Sequence, residues 1–151
     1  MPYSQIKRRQ SGFTLIEIAI VLVIIGLLLG GILKGQELIN SARVKNLASD
    51  FRNVPVFIYG YQDKFKALPG DDSAAVAHVA GTVATTNGTP GNGIIESTWY
   101  SATPTDESYL FWQHVRLAGL APGTTVVGAG FLPKNALGGE VGVQSATPFA
   151  N

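Results

Sequence analysis

The chain has 151 residues, enough for one domain and an anchor, and 46% of them are hydrophobic. Eleven basic residues face ten acidic ones, for a net charge of +1. Such a balance excludes nucleic-acid binding as the main activity, and the lack of cysteine excludes a disulfide framework or a lipoprotein anchor.

The first element is a short polar leader, residues 1–12, with a basic cluster at Lys7, Arg8 and Arg9. It ends at a small-to-bulky junction, Gly12-Phe13. An apolar run follows from Phe13 to Leu33, in which Thr14 and Glu17 are the only polar side chains. Those 21 residues, at about 1.5 Å each, cross a hydrocarbon core of roughly 30 Å. The basic cluster precedes the run, so the N-terminus stays cytoplasmic and the remainder is exported. Glu17 is the anomaly: an acid inside a membrane helix is costly and calls for a partner charge. An ordinary signal peptide fits poorly. Its cut would follow the apolar core, and Leu28-Leu29-Gly30-Gly31-Ile32-Leu33-Lys34 is not an A-x-A-like site.

Taken together, the basic cluster, Gly12-Phe13-Thr14-Leu15-Ile16-Glu17 and the apolar run resemble the class III leader of type IV prepilins and type II secretion pseudopilins. The resemblance is strongest from Lys7 to Ile32. It implies that a prepilin peptidase cuts between Gly12 and Phe13 and N-methylates Phe13. It also implies that the new α-amine, its own or a neighbour's, offsets the charge on Glu17 during filament assembly. Further implied partners are other pilin-like subunits, an inner-membrane platform, a motor, and lipid before assembly. The implied location is the inner membrane, single-pass, and then a periplasmic pseudopilus or a surface pilus. Loss of the leader takes the basic count from 11 to 8 against 10 acids, a net of −2. Many members of the family carry a proline where this chain has Lys34, so that cause of local unwinding is missing here.

Within the apolar run, Gly26 with Gly30 and Gly31 with Gly35 give two small-xxx-small spacings, which let membrane helices approach closely. From residue 34 to 67 the helix is expected to continue as an amphipathic periplasmic segment. Leu38, Ala42, Leu47, Phe51, Val54, Ile58, Tyr61 and Phe65 form its apolar stripe. Pro55 removes a backbone donor, and a kink is expected near it. Leu68-Pro69-Gly70-Asp71 then ends the helix.

Residues 68–151 make the head, of α+β, pilin-like class: a second helix and a short antiparallel sheet packed on the long helix. Asp72–Val79 reads as one short helix, and Thr82–Gly93 as an exposed loop. Asp71, Asp72, Asn87, Asn92 and Glu96 could supply oxygen to Ca²⁺, which related pseudopilin heads often hold. The acids do not alternate as in a calcium loop, so they are read as solvated turn residues and no cofactor is expected. Thr105-Asp106-Glu107 opens the second helix, with the threonine as cap and the acids at the positive helix end. Its inner face is Leu110, Phe111, His114, Val115 and Ala118, with Trp112 covering the first helix. His114 reads as a hydrogen-bonded core residue rather than a metal ligand. Thr125-Val-Val-Gly, Gly130-Phe-Leu-Pro and Glu140-Val-Gly-Val-Gln read as short strands. The chain stops just after the last of these, so further sequence is expected beyond it.

No nucleophile–base pair, phosphate loop or metal-ligand spacing appears, which points to a structural subunit and not an enzyme. Two other roles remain open. One is a minor pilin that primes or caps a filament; the other is a single-span periplasmic binding protein that never polymerises.

Overall fold

The computed structural model describes residues 12–145. The basic cluster Lys7–Arg9 and the end of the chain lie outside them. By internal contacts the chain divides into Met1–Ala42 and Arg43–Asn151.

The first helix, α1, runs from Leu15 to Phe65. Its N-terminal part is long and apolar enough to cross a membrane, with a mean hydropathy of 2.9 over its most apolar 18-residue window. Every residue from Gly12 to Lys34 is exposed. Such an all-round apolar surface in water has no stable partner within the first unit and suits a lipid or helix-packed environment. The helix passes through Pro55 without a break.

In the second unit, α1 supplies one wall of the head. Tyr61 is fully buried, and Val54, Phe57, Ile58 and Leu68 pack against the core. The expected stripe is shorter than its spacing suggests: Leu38, Ala42 and Phe51 are exposed. Phe57, one position off that stripe, meets Trp112 edge-on at 6.4 Å between ring centres. Trp112 therefore covers the first helix as expected. At the end of α1, Lys66 enters the left-handed region (φ 55°) while its amide still donates to Gln62 at 2.8 Å.

Two shorter helices follow, α2 at Ala75–Val79 and α3 at Glu107–Leu117. The α3 helix is the centre of the head. All ten residues from Glu107 to Arg116 are buried, although only one face was expected to be. The core joins Tyr109, Phe111, Trp112 and Val115 of α3 to Ile95, Phe131 and Val141 from the loops.

No β-strand forms among the described residues, which corrects the expected antiparallel sheet. Only isolated bridges remain, Thr86 with Asp106 and Lys134 with Glu140. The second closes a turn: the Asn135 amide donates to Gly139 and the Val141 amide to Pro133, at 2.8 and 2.9 Å. The reason lies in α3. Side chains of this helix take the carbonyls that strand ladders would have used. Arg116 donates to the carbonyls of Pro122, Thr124 and Phe131 at 3.2, 3.0 and 2.8 Å. Tyr109 donates to Gly128 and Gln113 to Thr125. Glycine and proline keep each apolar run too short to compete.

Candidate processing and assembly site

Gly12 and Phe13 lie directly before α1. Phe13 is 85% exposed, and a Cβ added at Gly12 would meet nothing within 4 Å. The junction therefore stands open to another protein. The next turn closes on itself. The Thr14 amide and hydroxyl both donate to Glu17 Oε2, at 2.7 and 2.8 Å, and the Glu17 amide donates back to Thr14 Oγ1 at 3.3 Å. This is a reciprocal cap: the threonine serves one orphan donor of the helix start, and the acid three residues later serves another. It also gives the carboxylate polar company in an otherwise apolar segment. The sequence suggested Glu17 as a charge in need of a partner. That Thr14 provides two hydrogen bonds to it was missed, although the T-x-x-E spacing signals it.

At Gly26, Gly30, Gly31 and Gly35 an added Cβ would likewise meet nothing within 4 Å. These glycines are open on the single chain, available for close approach by another helix.

The proposed oxygen donors of the head are not solvated turn residues throughout. Asp71 and Asp72 are both 2% exposed. Asp71 accepts the amides of Gly91, Asn92 and Gly93, at 2.5, 3.2 and 2.6 Å, so it anchors the glycine-rich loop. Asp72 accepts from Tyr61 at 2.7 Å and from the Ala74 amide at 2.8 Å, and pairs with His78 Nδ1 at 2.7 Å. Asn87 donates to Asp106, Asn92 accepts from Ile94, and Glu96 accepts from Thr89. Among the described residues no three acidic or histidine side chains gather to hold a metal.

Thr105 does not cap α3. Asp106 occupies the cap position in extended conformation, and its side chain makes no cap bond. Its carboxylate instead accepts from Thr86, Ser101 and Asn87, at 2.5, 2.6 and 3.1 Å. Burial pushes the Asp72 and Asp106 carboxyls up, but their hydrogen bonds outweigh it and leave both below the usual carboxylate range. For Asp72 these come from His78, Tyr61 and Ala74; for Asp106, from Ser101, Thr86 and Asn87.

His114 is fully buried. It accepts the Gly70 amide at Nδ1 (2.9 Å), which leaves Nε2–H to donate to the Thr82 carbonyl (2.8 Å). Both ring nitrogens are thus engaged in tying the turn after α1 to the loop after α2. Burial holds its pKa below the ordinary histidine value.

Residues 7–33 match the prokaryotic N-terminal methylation motif. This stretch is the class III leader of type IV pilins and pseudopilins. The match takes in Gly12, Phe13, Thr14 and Glu17 together with the glycines up to Gly31. Gly35 and the whole head lie beyond it. No curated relative and no solved structure matches the chain. The likeness to pilins thus rests on the leader and the apolar helix start, where the geometry just described is found.

Proposed function

We propose that this pilin-like chain is a structural subunit of a type IV pilus or a type II secretion pseudopilus. It is cut after Gly12, N-methylated at Phe13, and assembled through α1. The observation that carries this reading is the open Gly12-Phe13 junction, followed within one turn by Glu17 on a lipid-grade helix, all inside the matched motif. A chain that never polymerised would use an acid at that position for the Thr14 cap alone.

The assignment of roles follows from chemistry. Cleavage converts the Phe13 nitrogen into an α-ammonium, the partner charge for a carboxylate in lipid. In the precursor, Thr14 occupies Glu17 Oε2 with two hydrogen bonds. On assembly the ammonium of the same or a neighbouring subunit supplies the charge that threonine lacks. The glycines at 26, 30, 31 and 35 admit neighbouring helices closely. The N-terminus is cytoplasmic and the head periplasmic, with prepilin peptidase, platform protein and motor as partners. The chain acts as a substrate of processing rather than a catalyst. A minor pilin that primes or caps the filament is the second reading, since it would use the same N-terminal features.

Intact mass and N-terminal sequencing of the membrane-extracted protein, with and without prepilin peptidase, test the proposal. A product starting at N-methylated Phe13, formed only when the peptidase is present, is the expected result. A chain starting at Met1, or cut beyond Leu33, would leave a plain anchor or a secreted protein.

A further inference from the structure

Glu107, the first residue of α3, is fully buried. Its Oε2 accepts the Glu96 amide at 2.8 Å, and its Oε1 has no hydrogen-bond partner. The loop of residues 86–96 lies directly on this carboxyl: a Cβ added at Gly88 would overlap it. On another side, the turn at Gly70 (φ 92°) approaches so closely that a Cβ there would strike the Glu107 carbonyl. Glycine at 88 lets the loop lie on the carboxyl, and glycine at 70 lets the turn after α1 pack on the α3 backbone at the same residue.

The charged groups around Glu107 are all acids. Asp71 comes from the turn after α1, Glu96 from the glycine-rich loop, and Asp106 from the cap of α3. The basic groups on the turn after α1 and on α3 are committed elsewhere. Arg116 serves the three carbonyls named above, Lys66 donates to the Asp63 carbonyl, and His114 bridges Gly70 and Thr82. Asp71 and Asp106 each accept at least three hydrogen bonds from the chain's own donors. Glu107 accepts one. A fourth negative charge is least tolerable there, since an enclosed carboxylate with one hydrogen bond and like-charged neighbours favours its neutral form.

We propose that Glu107 carries a proton in the folded head, and that its neutral form is what lets the 86–96 loop latch onto the start of α3. Burial raises the pKa of this carboxyl; the Glu96 amide opposes the rise, and the charges of Asp71, Glu96 and Asp106 reinforce it. The sign follows. The folded value lies above the unfolded one, so the latch is fully closed below the ordinary carboxylate range and weakens as pH rises through the folded value. The loop carrying Glu96 is the segment that yields, because the Glu96 side chain is exposed and accepts only from the Thr89 amide of the same loop. This inference concerns the head alone and does not depend on filament assembly.

Hydrogen exchange on the full chain in detergent micelles, from about pH 5 to about pH 9 and corrected for intrinsic rates, tests it. The amides of Thr89, Gly91 and Gly93 should lose about tenfold in protection across that range, one pKa unit of differential protonation. Glu107→Gln, a neutral group of the same shape, should keep full protection at high pH. Glu96→Gln should move the midpoint to lower pH, because it removes one of the charges that disfavour the ionised form, and it guards against a Glu107 variant that fails to fold. Wild-type protection that ignores pH would overturn the proposal, as would a Glu107→Gln chain that titrates like wild type. Calcium chloride provides the last arm. If it restores high-pH protection in wild type but not in Glu107→Gln, the free oxygen belongs to a cation and the proton latch is wrong.

Discussion

The two units of this chain handle polar groups in opposite ways. In the first, the described apolar side chains are all exposed or nearly so, and the one acid of the apolar run, Glu17, is held at the helix start by a threonine one turn away. In the second, acids go to the inside: Asp71, Asp72, Asp106 and Glu107 are among the most buried residues of the head. The difference is one of solvent. A helix destined for lipid satisfies its backbone within itself, so polar side chains are needed only where the helix begins. A head without strands leaves loop amides and carbonyls unpaired. Buried side chains then have to meet them.

The comparison can be broken at several points. The largest effect is expected at the junction. Gly12→Arg should abolish processing and leave uncut precursor in the membrane, visible as unshifted intact mass, while the head stays folded. Glu17→Val should leave cleavage intact but lower filament incorporation about tenfold, the size of a lost charge contact, read from sheared filament fractions. Normal incorporation would remove the pairing role.

Within the head, Phe111→Ala empties a fully buried site and should cost about 3–5 kcal/mol in denaturant unfolding. Leu28→Ala, on the exposed apolar stretch, should leave that transition unchanged. The acid limb of stability comes next. Asp72 and Asp106 have folded pKa values below their unfolded ones. Their contribution is therefore complete above the ordinary carboxylate range and lost as pH falls through the depressed values. Asp106→Asn should flatten that limb in acid-unfolding curves. Thr14→Val is expected to have the smallest effect, about a fivefold faster exchange of the first helical amides, in keeping with loss of one cap.

The N-terminal unit was legible because its signals are local. A junction, an acid and an apolar run sit within about one span of each other, and periodicity is not needed to find them. The long helix was legible too, including its passage into the head, although the buried stripe was misplaced by Phe57 and Phe51. Spacing alone does not say where the head begins to cover the helix. The sheet was the main error. Thr125–Gly128 has strand-like composition, but Arg116, Gln113 and Tyr109 reach across from α3 to take the carbonyls in and beside it, and Glu140–Gln144 is left with a single bridge, Lys134 with Glu140. Such long-range competition has no signature in a short window. The buried acids were missed for the same reason: an Asp-Asp pair after Pro-Gly looks like a turn, and nothing in it reveals that Gly91–Gly93 will fold over Asp71.

A further consequence lies in the missing ladder edges. Under the proposed function, subunits crowd side by side at a membrane, where exposed strand edges would recruit one another by backbone pairing. Among the described residues this head shows only two isolated bridges and no open edge. Subunits waiting at high local density thus lack a common route to disordered aggregation, and contact between heads is left to side-chain complementarity.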